Sequence, residues 1–117
     1  MTLKRFNMLY KIQNQKTALK VIGGTSLKGY ITGYTYSQLV EAMGEPTFPT
    51  ESGDGKIQKE WVIRDGNDVF TIYDWKTYDV EYTTTQLTRW NVGGHIYAGD
   101  FIEKIEKKLE EKFGILI

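Results

Sequence analysis

The chain has 117 residues, of which 40% are hydrophobic and 26% are charged, with 15 basic and 15 acidic side chains. This length predicts one domain with one core, and this composition is typical of a globular rather than a disordered protein. The absence of cysteine excludes disulfides, zinc–thiolate sites and thiol nucleophiles, and it suits a reducing cytoplasm.

The basic charge is concentrated near the N-terminus. No acidic residue precedes Glu41, whereas six basic side chains do: Lys4, Arg5, Lys11, Lys16, Lys20 and Lys28. We therefore treat 1–117 as one domain with a basic, peripheral segment over 1–18, whose first dozen residues fit a helix or a strand. Such a segment can bind phosphates or an acidic partner, although most charge runs are simply solvated. The net charge of zero argues against a dedicated nucleic-acid-binding protein, which is usually basic overall.

A glycine-rich stretch follows a short strand that is predicted at 20–22. Residues 23–29 supply the backbone amides, hydroxyls and lysine that a phosphate-binding loop uses. Its candidate ligands are Thr25, Ser26 and Lys28. The spacing differs from that of a P-loop, in which the lysine directly follows a glycine and precedes Ser or Thr. The glycines equally permit tight turns and close approach of strands.

A short helix is predicted to begin after Thr35. Thr35 and Gln38 have the spacing of a capping box, in which each side chain accepts a hydrogen bond from the other residue's backbone N–H. Leu39 and Met43 lie on an apolar stripe, and the Gly-Glu-Pro sequence that follows ends the helix. The glycine- and proline-containing segment 47–56 is predicted to be a loop.

The clearest element is a β-hairpin over 59–75. Its two alternating strands flank a Gly-Asn pair, which predicts a tight turn because both residues tolerate the positive φ angles that hairpin twist requires. With this turn as the loop, Asp65 pairs with Asp68. The register predicts one face in the core, consisting of Trp61, Ile63, Phe70 and Ile72. The other face is predicted to be a half-exposed surface of Glu60, Val62, Arg64, Val69, Thr71 and Tyr73.

The rest of the sequence predicts extended chain and one longer helix. Residues 76–86 fit a loop or a strand extension, and their alternation favours extended backbone, while 87–92 alternate as a further strand. From Asp100 to Phe113 apolar side chains recur on one face of an amphipathic helix. We therefore predict an α+β fold, with an antiparallel sheet of about four strands and with a short helix and a C-terminal amphipathic helix packed on one face.

No constellation of catalytic side chains is recognisable. His95 is the sole histidine, and the sequence pairs it with neither a nucleophile nor an orienting acid, so a partner contact is the simpler role. Without a second histidine or a clustered carboxylate motif, we expect neither a metal nor a cofactor. Asp74 is expected to form a cross-strand ion pair with Lys59. The protein is predicted not to be an enzyme.

Aromatic side chains are more numerous than the predicted core requires. Tyrosine and tryptophan at the ends of elements suit recognition because they join a large contact area to a polar group, although many such residues only cap a small core. The predicted partner- or ligand-binding surface combines these rings with the glycine-rich stretch. Its residues are Thr25, Ser26, Lys28, Tyr30, Tyr73, Trp75, Lys76 and His95.

Five segments, in this order, resemble a family of small uncharacterised bacteriophage and prophage proteins. They are GTSLKGYI at 24–31, LVEAMGEP at 39–46, EWVI at 60–63, TIYDWK at 71–76 and WNVGG at 90–94. The resemblance covers roughly residues 21–109 and implies no catalytic residue. It implies a small phage accessory protein in the cytoplasm of an infected bacterium. Such a protein would bind a host protein. It would either inhibit a host defence system, as anti-CRISPRs do, or be the protein that a defence system senses.

A small-ligand binder is the alternative function. A nucleotide sponge would hold phosphate in the glycine-rich stretch and stack aromatic rings on the base. No apolar run approaches the roughly 18–20 residues that cross a bilayer, and the N-terminus lacks the apolar region of a secretory signal, so no membrane association is expected. A homo-oligomer is compatible with the sequence.

Overall fold

The computed structural model describes residues 9–114 and has an α+β fold. Its elements are β1 (Leu9–Lys11), α1 (Gln15–Ile22), β2 (Ser26–Thr32), α2 (Tyr36–Met43), β3 (Glu60–Asp65), β4 (Asp68–Tyr73), α3 (Val80–Thr85), β5 (Arg89–Gly94) and α4 (Gly99–Phe113). The strands form one antiparallel sheet in the order β1-β3-β4-β5-β2. The α+β prediction is confirmed, with five strands in the described part instead of about four. None of the helices between residues 9 and 114 is long and apolar enough to span a membrane.

The predicted hairpin is confirmed in both its turn and its register. Asp65 pairs with Asp68, and Trp61 pairs with Ile72. Gly66 has a φ of 64°, a conformation in which glycine carries no steric cost. The four side chains predicted for the core face are all buried. Local turn chemistry and the hydrophobic pattern agree here, which is why the sequence alone was sufficient.

Two helices cover this core face of the sheet. The ring of Phe70 stacks on that of Phe101 in α4, with centroids 4.4 Å apart. Trp61 meets Trp90 of β5 edge-on at 5.6 Å. The predicted capping box at the start of α2 is present, and α4 buries Phe101, Ile105 and Leu109, so both predicted helices are confirmed.

The segment predicted as a strand at 20–22 is instead the last turn of α1. Asn14 caps this helix, its Oδ1 accepting a hydrogen bond from the backbone N–H of Thr17 at 3.0 Å. Ala18, Val21 and Ile22 follow helical spacing and pack against the sheet, which a strand of the same residues would not allow. Residues 1–8 of the predicted peripheral segment lie outside the described residues, whereas residues 9–18 form β1 and the start of α1.

The second face of the sheet is not the half-exposed surface that the hairpin pattern predicts. Val62, Val69 and Thr71 are buried. They lie on the side of the sheet where Ala18 of α1 and its neighbours form a second apolar cluster. The sheet is therefore covered on both faces at this end, because α1 lies across the side that the hairpin pattern leaves open.

The extended backbone predicted for 76–86 is also wrong, because this segment contains α3. Asp79 caps the helix through an Oδ1 that accepts from the backbone N–H of Glu81 at 2.9 Å. Tyr78, Val80 and Tyr82, whose alternation suggests a strand, are 63%, 50% and 43% exposed. Tertiary contacts around Asp74 override the β propensity of these residues.

Asp74 is fully buried, and its carboxylate joins three segments of the chain. Its Oδ1 accepts from the backbone N–H groups of Gln58 and Lys59, at 2.8 and 2.9 Å. Its Oδ2 accepts from the hydroxyls of Thr77 and Thr83, at 2.5 and 3.1 Å. The predicted ion pair with Lys59 is wrong, since the ammonium of that lysine donates to the Pro49 carbonyl oxygen instead.

Removing this carboxylate should destabilise the fold. In Asp74→Ala the buried donors lose their acceptor, and each unsatisfied group costs about 1–3 kcal/mol, so we expect a loss of roughly 3 kcal/mol or more. Urea unfolding measures this loss in the free energy of unfolding, provided that the m-value is the same for wild type and variant. The control Asp68→Ala, at an exposed position of the hairpin, should change the free energy of unfolding by less than about 0.5 kcal/mol. Equal effects of the two substitutions would contradict the role of Asp74.

Candidate functional site

One row of paired residues crosses the second face of the sheet beyond α1. Glu60 of β3 pairs with Tyr73 of β4, Tyr73 pairs with Asn91 of β5, and Asn91 pairs with Tyr30 of β2. Because side chains alternate along each strand, this row lies on the same face as the residues under α1. We call Tyr30, Tyr73, Trp75, Arg89 and Asn91 the aromatic face.

A β-bulge in β2 turns Tyr30 toward this face. Leu27 pairs with Gly93 and Gly29 pairs with Val92, so Lys28 is an extra residue that changes the alternation of the strand. As a result Leu27 and Tyr30 share one face although they are three residues apart. Both are exposed, by 47% and 41%.

Gly93 leaves room for the side chains of β4. A Cβ at this position would lie 2.8 Å from the Thr71 hydroxyl oxygen and 3.4 Å from the Tyr73 ring. A side chain at this position would therefore collide with the Thr71 hydroxyl, whereas the Tyr73 ring is at the edge of ordinary van der Waals contact.

Trp75 is presented by the chain that leaves Asp74. Its indole is 45% exposed and meets the Tyr73 ring edge-on at 6.3 Å. The backbone N–H of Lys76 donates to the Lys56 carbonyl oxygen at 2.7 Å. Lys76 and Tyr78 both have φ near +56°, a left-handed conformation that non-glycine residues adopt only when their surroundings impose it. The loop is thus held in one shape by hydrogen bonds on both sides of the indole.

Cations lie over the two exposed rings. The Arg89 guanidinium is 4.2 Å from the centre of the Tyr30 ring. The ammonium groups of Lys56 and Lys76 each lie 5.8 Å from the Trp75 ring. These distances are within the roughly 6 Å range of cation–π attraction. Each exposed ring therefore combines an apolar surface with positive charge.

Glu60 lies at the inner end of the row, next to Tyr73. Burial, reinforced by the negative charge of Asp74, raises the pKa of its carboxyl to about 7. Burial also raises the pKa of the Tyr73 hydroxyl; a hydrogen bond with Asn91 works against this rise, and the charges of Glu60 and Tyr30 add to it. At neutral pH the Glu60 carboxyl is thus divided between its charged and neutral forms.

The glycine-rich stretch does not form the predicted loop, because strand β2 begins at Ser26. The Thr25 hydroxyl donates to the Ile22 carbonyl oxygen at 2.8 Å and closes the end of α1. Lys28 is exposed at the bulge. Of the residues predicted in this stretch as ligands or contacts, only Tyr30 joins the aromatic face.

His95 is exposed but belongs to another part of the surface. Its Nε2 lies 2.8 Å from the Val21 carbonyl oxygen at the end of α1. It follows Asn91 by four residues, about 13 Å along an extended chain. His95 thus lies beside the end of α1 and next to Gly24 of the glycine-rich stretch, whereas Tyr30, Tyr73, Trp75 and Lys76 lie on or next to the aromatic face.

Arg89 and Asn91 belong to the face although the site prediction omits them. Their alternation with buried Trp90 and Val92 is visible in the sequence, and it marks them as outward-facing. The pairing of β5 with both β2 and β4, which places them beside Tyr30 and Tyr73, carries no local signal.

Two hollows lie away from the aromatic face. One, of about 590 Å³, is lined by β1, α2 and α4. The other, of about 420 Å³, lies beside the hairpin turn and includes Tyr97. In residues 9–114 no group of three or more His, Cys, Asp or Glu side chains is arranged to hold a metal ion. The aromatic face itself is an open surface that lines neither hollow.

Comparison of the chain with protein-family models, with curated protein sequences and with solved structures found no match.

The raised pKa of Glu60 predicts a stability that depends on pH. Between about 4.5, its usual value, and about 7 the folded state holds more protons than the unfolded state, so the free energy of unfolding falls as pH rises through this window. Glu60→Gln stays neutral at every pH, so it should be more stable than wild type at pH 8, where Glu60 is charged, and not at pH 4, where Glu60 is protonated. The expected difference at pH 8 is about 1–2 kcal/mol, because the partial exposure of Glu60 reduces the full effect.

Urea unfolding at both pH values measures this difference. Glu111→Gln, at an exposed position on α4, is the matched control. Parallel pH profiles for wild type and Glu60→Gln would contradict the assignment.

Proposed function

We propose that the protein is a phage-encoded accessory factor that binds a host protein through the aromatic face. The observation that carries the binding role is the exposure of Tyr30 and Trp75, by 41% and 45%, on a scaffold that holds both rings in place. The phage origin rests on the resemblance described above. The same resemblance suggests action on a defence system in the cytoplasm of the infected host, as an inhibitor or as the protein sensed.

The composition of the face supports recognition of another protein. Tyr, Trp and Arg are the residue types that contribute most binding energy at protein interfaces. Tyr73 and Asn91 connect Tyr30 to Trp75 through paired strands, so few side chains must be ordered on binding. The open shape favours a protein surface over an enclosed small ligand, since small-ligand sites are usually concave.

Binding is also favoured over catalysis by the surroundings of His95. Its ring is hydrogen-bonded to a backbone carbonyl oxygen, that of Val21. Among residues 9–114 no carboxylate or hydroxyl is hydrogen-bonded to this ring. Glu60 is the acid with a pKa near neutrality, and it lies in the row that meets β5 at Asn91. His95, in contrast, follows the last residue of β5.

A capture experiment from host lysate tests this function. The tagged protein should retain one specific host protein, and Trp75→Ala and Tyr30→Ala should each reduce recovery at least about 10-fold, as expected for central aromatic anchors. Tyr97→Ala is the control, because Tyr97 is 80% exposed beside the hairpin turn. Circular dichroism checks that each variant is folded. Recovery that is unchanged in both aromatic-face variants, or lost equally in the control, would reject this face as the binding surface.

A nucleotide or other small anionic ligand is the second candidate. It is favoured by the cations over the exposed rings, Arg89 on Tyr30 and two lysines on Trp75, because a base can stack on a ring while a cation neutralises phosphate.

A thermal-shift screen against a nucleotide panel tests the second candidate. A ligand at about 100 times its Kd stabilises the folded state by about 2.7 kcal/mol and should raise Tm by several degrees. The shift should vanish in Trp75→Ala. No shift across the panel would reject the nucleotide role.

A further inference from the structure

Positive charge predominates on the side of the sheet that carries the aromatic face. Among the paired strand residues whose side chains point to this side, Arg64 and Arg89 are basic and Glu60 is acidic. Helix α1, which packs on the same side, carries Lys16 and Lys20 and no acidic residue. Of the basic residues that precede Glu41, Lys16 and Lys20 are therefore on the same side of the sheet as the exposed rings.

The cations at the exposed rings are not neutralised by ion pairs. Within residues 9–114 neither Lys56, Lys76 nor Arg89 has a carboxylate oxygen within 4.0 Å. The pKa of Asp54 is lowered first by a hydrogen bond from Ser52 and next by one from the Lys56 backbone N–H, with a smaller effect of the Lys56 charge. Lys76 and Arg89 are thus the cations at Trp75 and Tyr30 that are most open to a partner.

The opposite side of the molecule has a different character. Helix α4, which covers the core face, carries four glutamates and Asp100 together with four lysines, so its acidic and basic residues nearly cancel. The excess of basic residues on the side of the aromatic face has no counterpart on α4. An approaching charged partner responds to the local potential within about a Debye length of 8–10 Å, not to the net charge of the chain.

We infer that the aromatic face binds an acidic segment of the partner protein, in which carboxylates flank an apolar or aromatic side chain. The apolar side chain would contact the Trp75 and Tyr30 rings, and the carboxylates would meet Lys56, Lys76 and Arg89. This inference rests on the proposed function and specifies the partner's chemistry. A protein segment is favoured over nucleic acid because a dedicated nucleic-acid-binding domain is usually basic as a whole, and this chain has 15 basic and 15 acidic residues.

Fluorescence anisotropy with defined probes tests the inference on the full chain. The probes are a labelled peptide rich in glutamate with interspersed phenylalanine, the same peptide with glutamine in place of every glutamate, and an oligo-dT strand of equal charge. We expect the glutamate peptide to bind at least about 10-fold more tightly than either other probe at low salt, with the preference over the glutamine peptide shrinking as salt is added.

A matched pair of double variants locates the effect. Lys76→Gln with Arg89→Gln removes two positive charges at the aromatic face, and Lys108→Gln with Lys112→Gln removes two from exposed positions of α4. The double variant at the aromatic face should lose most of the preference for the glutamate peptide, and the double variant on α4 should keep it. Equal affinity for the two peptides, no measurable binding of either, tighter binding of oligo-dT, or equal losses in the two double variants would each overturn the inference.

Failure of this inference is distinguishable from failure of the proposed function. Capture of a host protein could depend on Trp75 but change neither with salt nor in the double variant at the aromatic face. That outcome would reject the acidic partner and still support the aromatic face as the binding surface. Capture that is independent of Trp75 and Tyr30 would reject the binding face itself.

Discussion

The buried carboxylate of Asp74 is the interaction on which the rest of the structure depends. It accepts hydrogen bonds from the chain that enters β3, from the hydroxyl of Thr77 before α3 and from the hydroxyl of Thr83 within α3. A buried charge is tolerated only when its hydrogen bonds are satisfied, so these segments cannot separate without a large cost. The chain between Asp74 and Thr83 is short, and Lys76 and Tyr78 adopt left-handed backbone within it. Trp75 is thereby held outside the core at the end of β4.

The two faces of the sheet are covered in different ways. The core face is closed by α2 and α4, and its apolar cluster contains the stacked pair Phe70–Phe101 and the edge-on pair Trp61–Trp90. The second face is shared between α1 and the open aromatic face. A bulge at Lys28 places Tyr30 in one row with Tyr73 across it, and Gly93 leaves room for the Thr71 hydroxyl. Rings fixed in this way lose little conformational entropy when a partner covers them.

Charge reinforces this division of the molecule. A composition with equal numbers of acidic and basic residues gives no hint of a preferred partner. In the folded chain the lysines of α1 and the cations over Tyr30 and Trp75 lie on one side of the sheet, whereas the acidic and basic residues of α4 on the other side nearly cancel. In the proposed interaction, this distribution would steer an anionic partner surface toward the exposed rings before contact forms.

The sequence by itself determined the elements whose signals are local: the hairpin with its register, the capping box of α2 and the apolar stripe of α4. It also identified three members of the aromatic face, Tyr30, Tyr73 and Trp75, and the neighbouring Lys76. Only the tertiary structure decided that α1 is a helix, that α3 replaces an extended segment, and that α1 covers half of the second face. Arg89 meets Tyr30 because β5 pairs with a strand far away in the sequence. Such pairings depend on long-range burial, which leaves no periodic pattern in the chain.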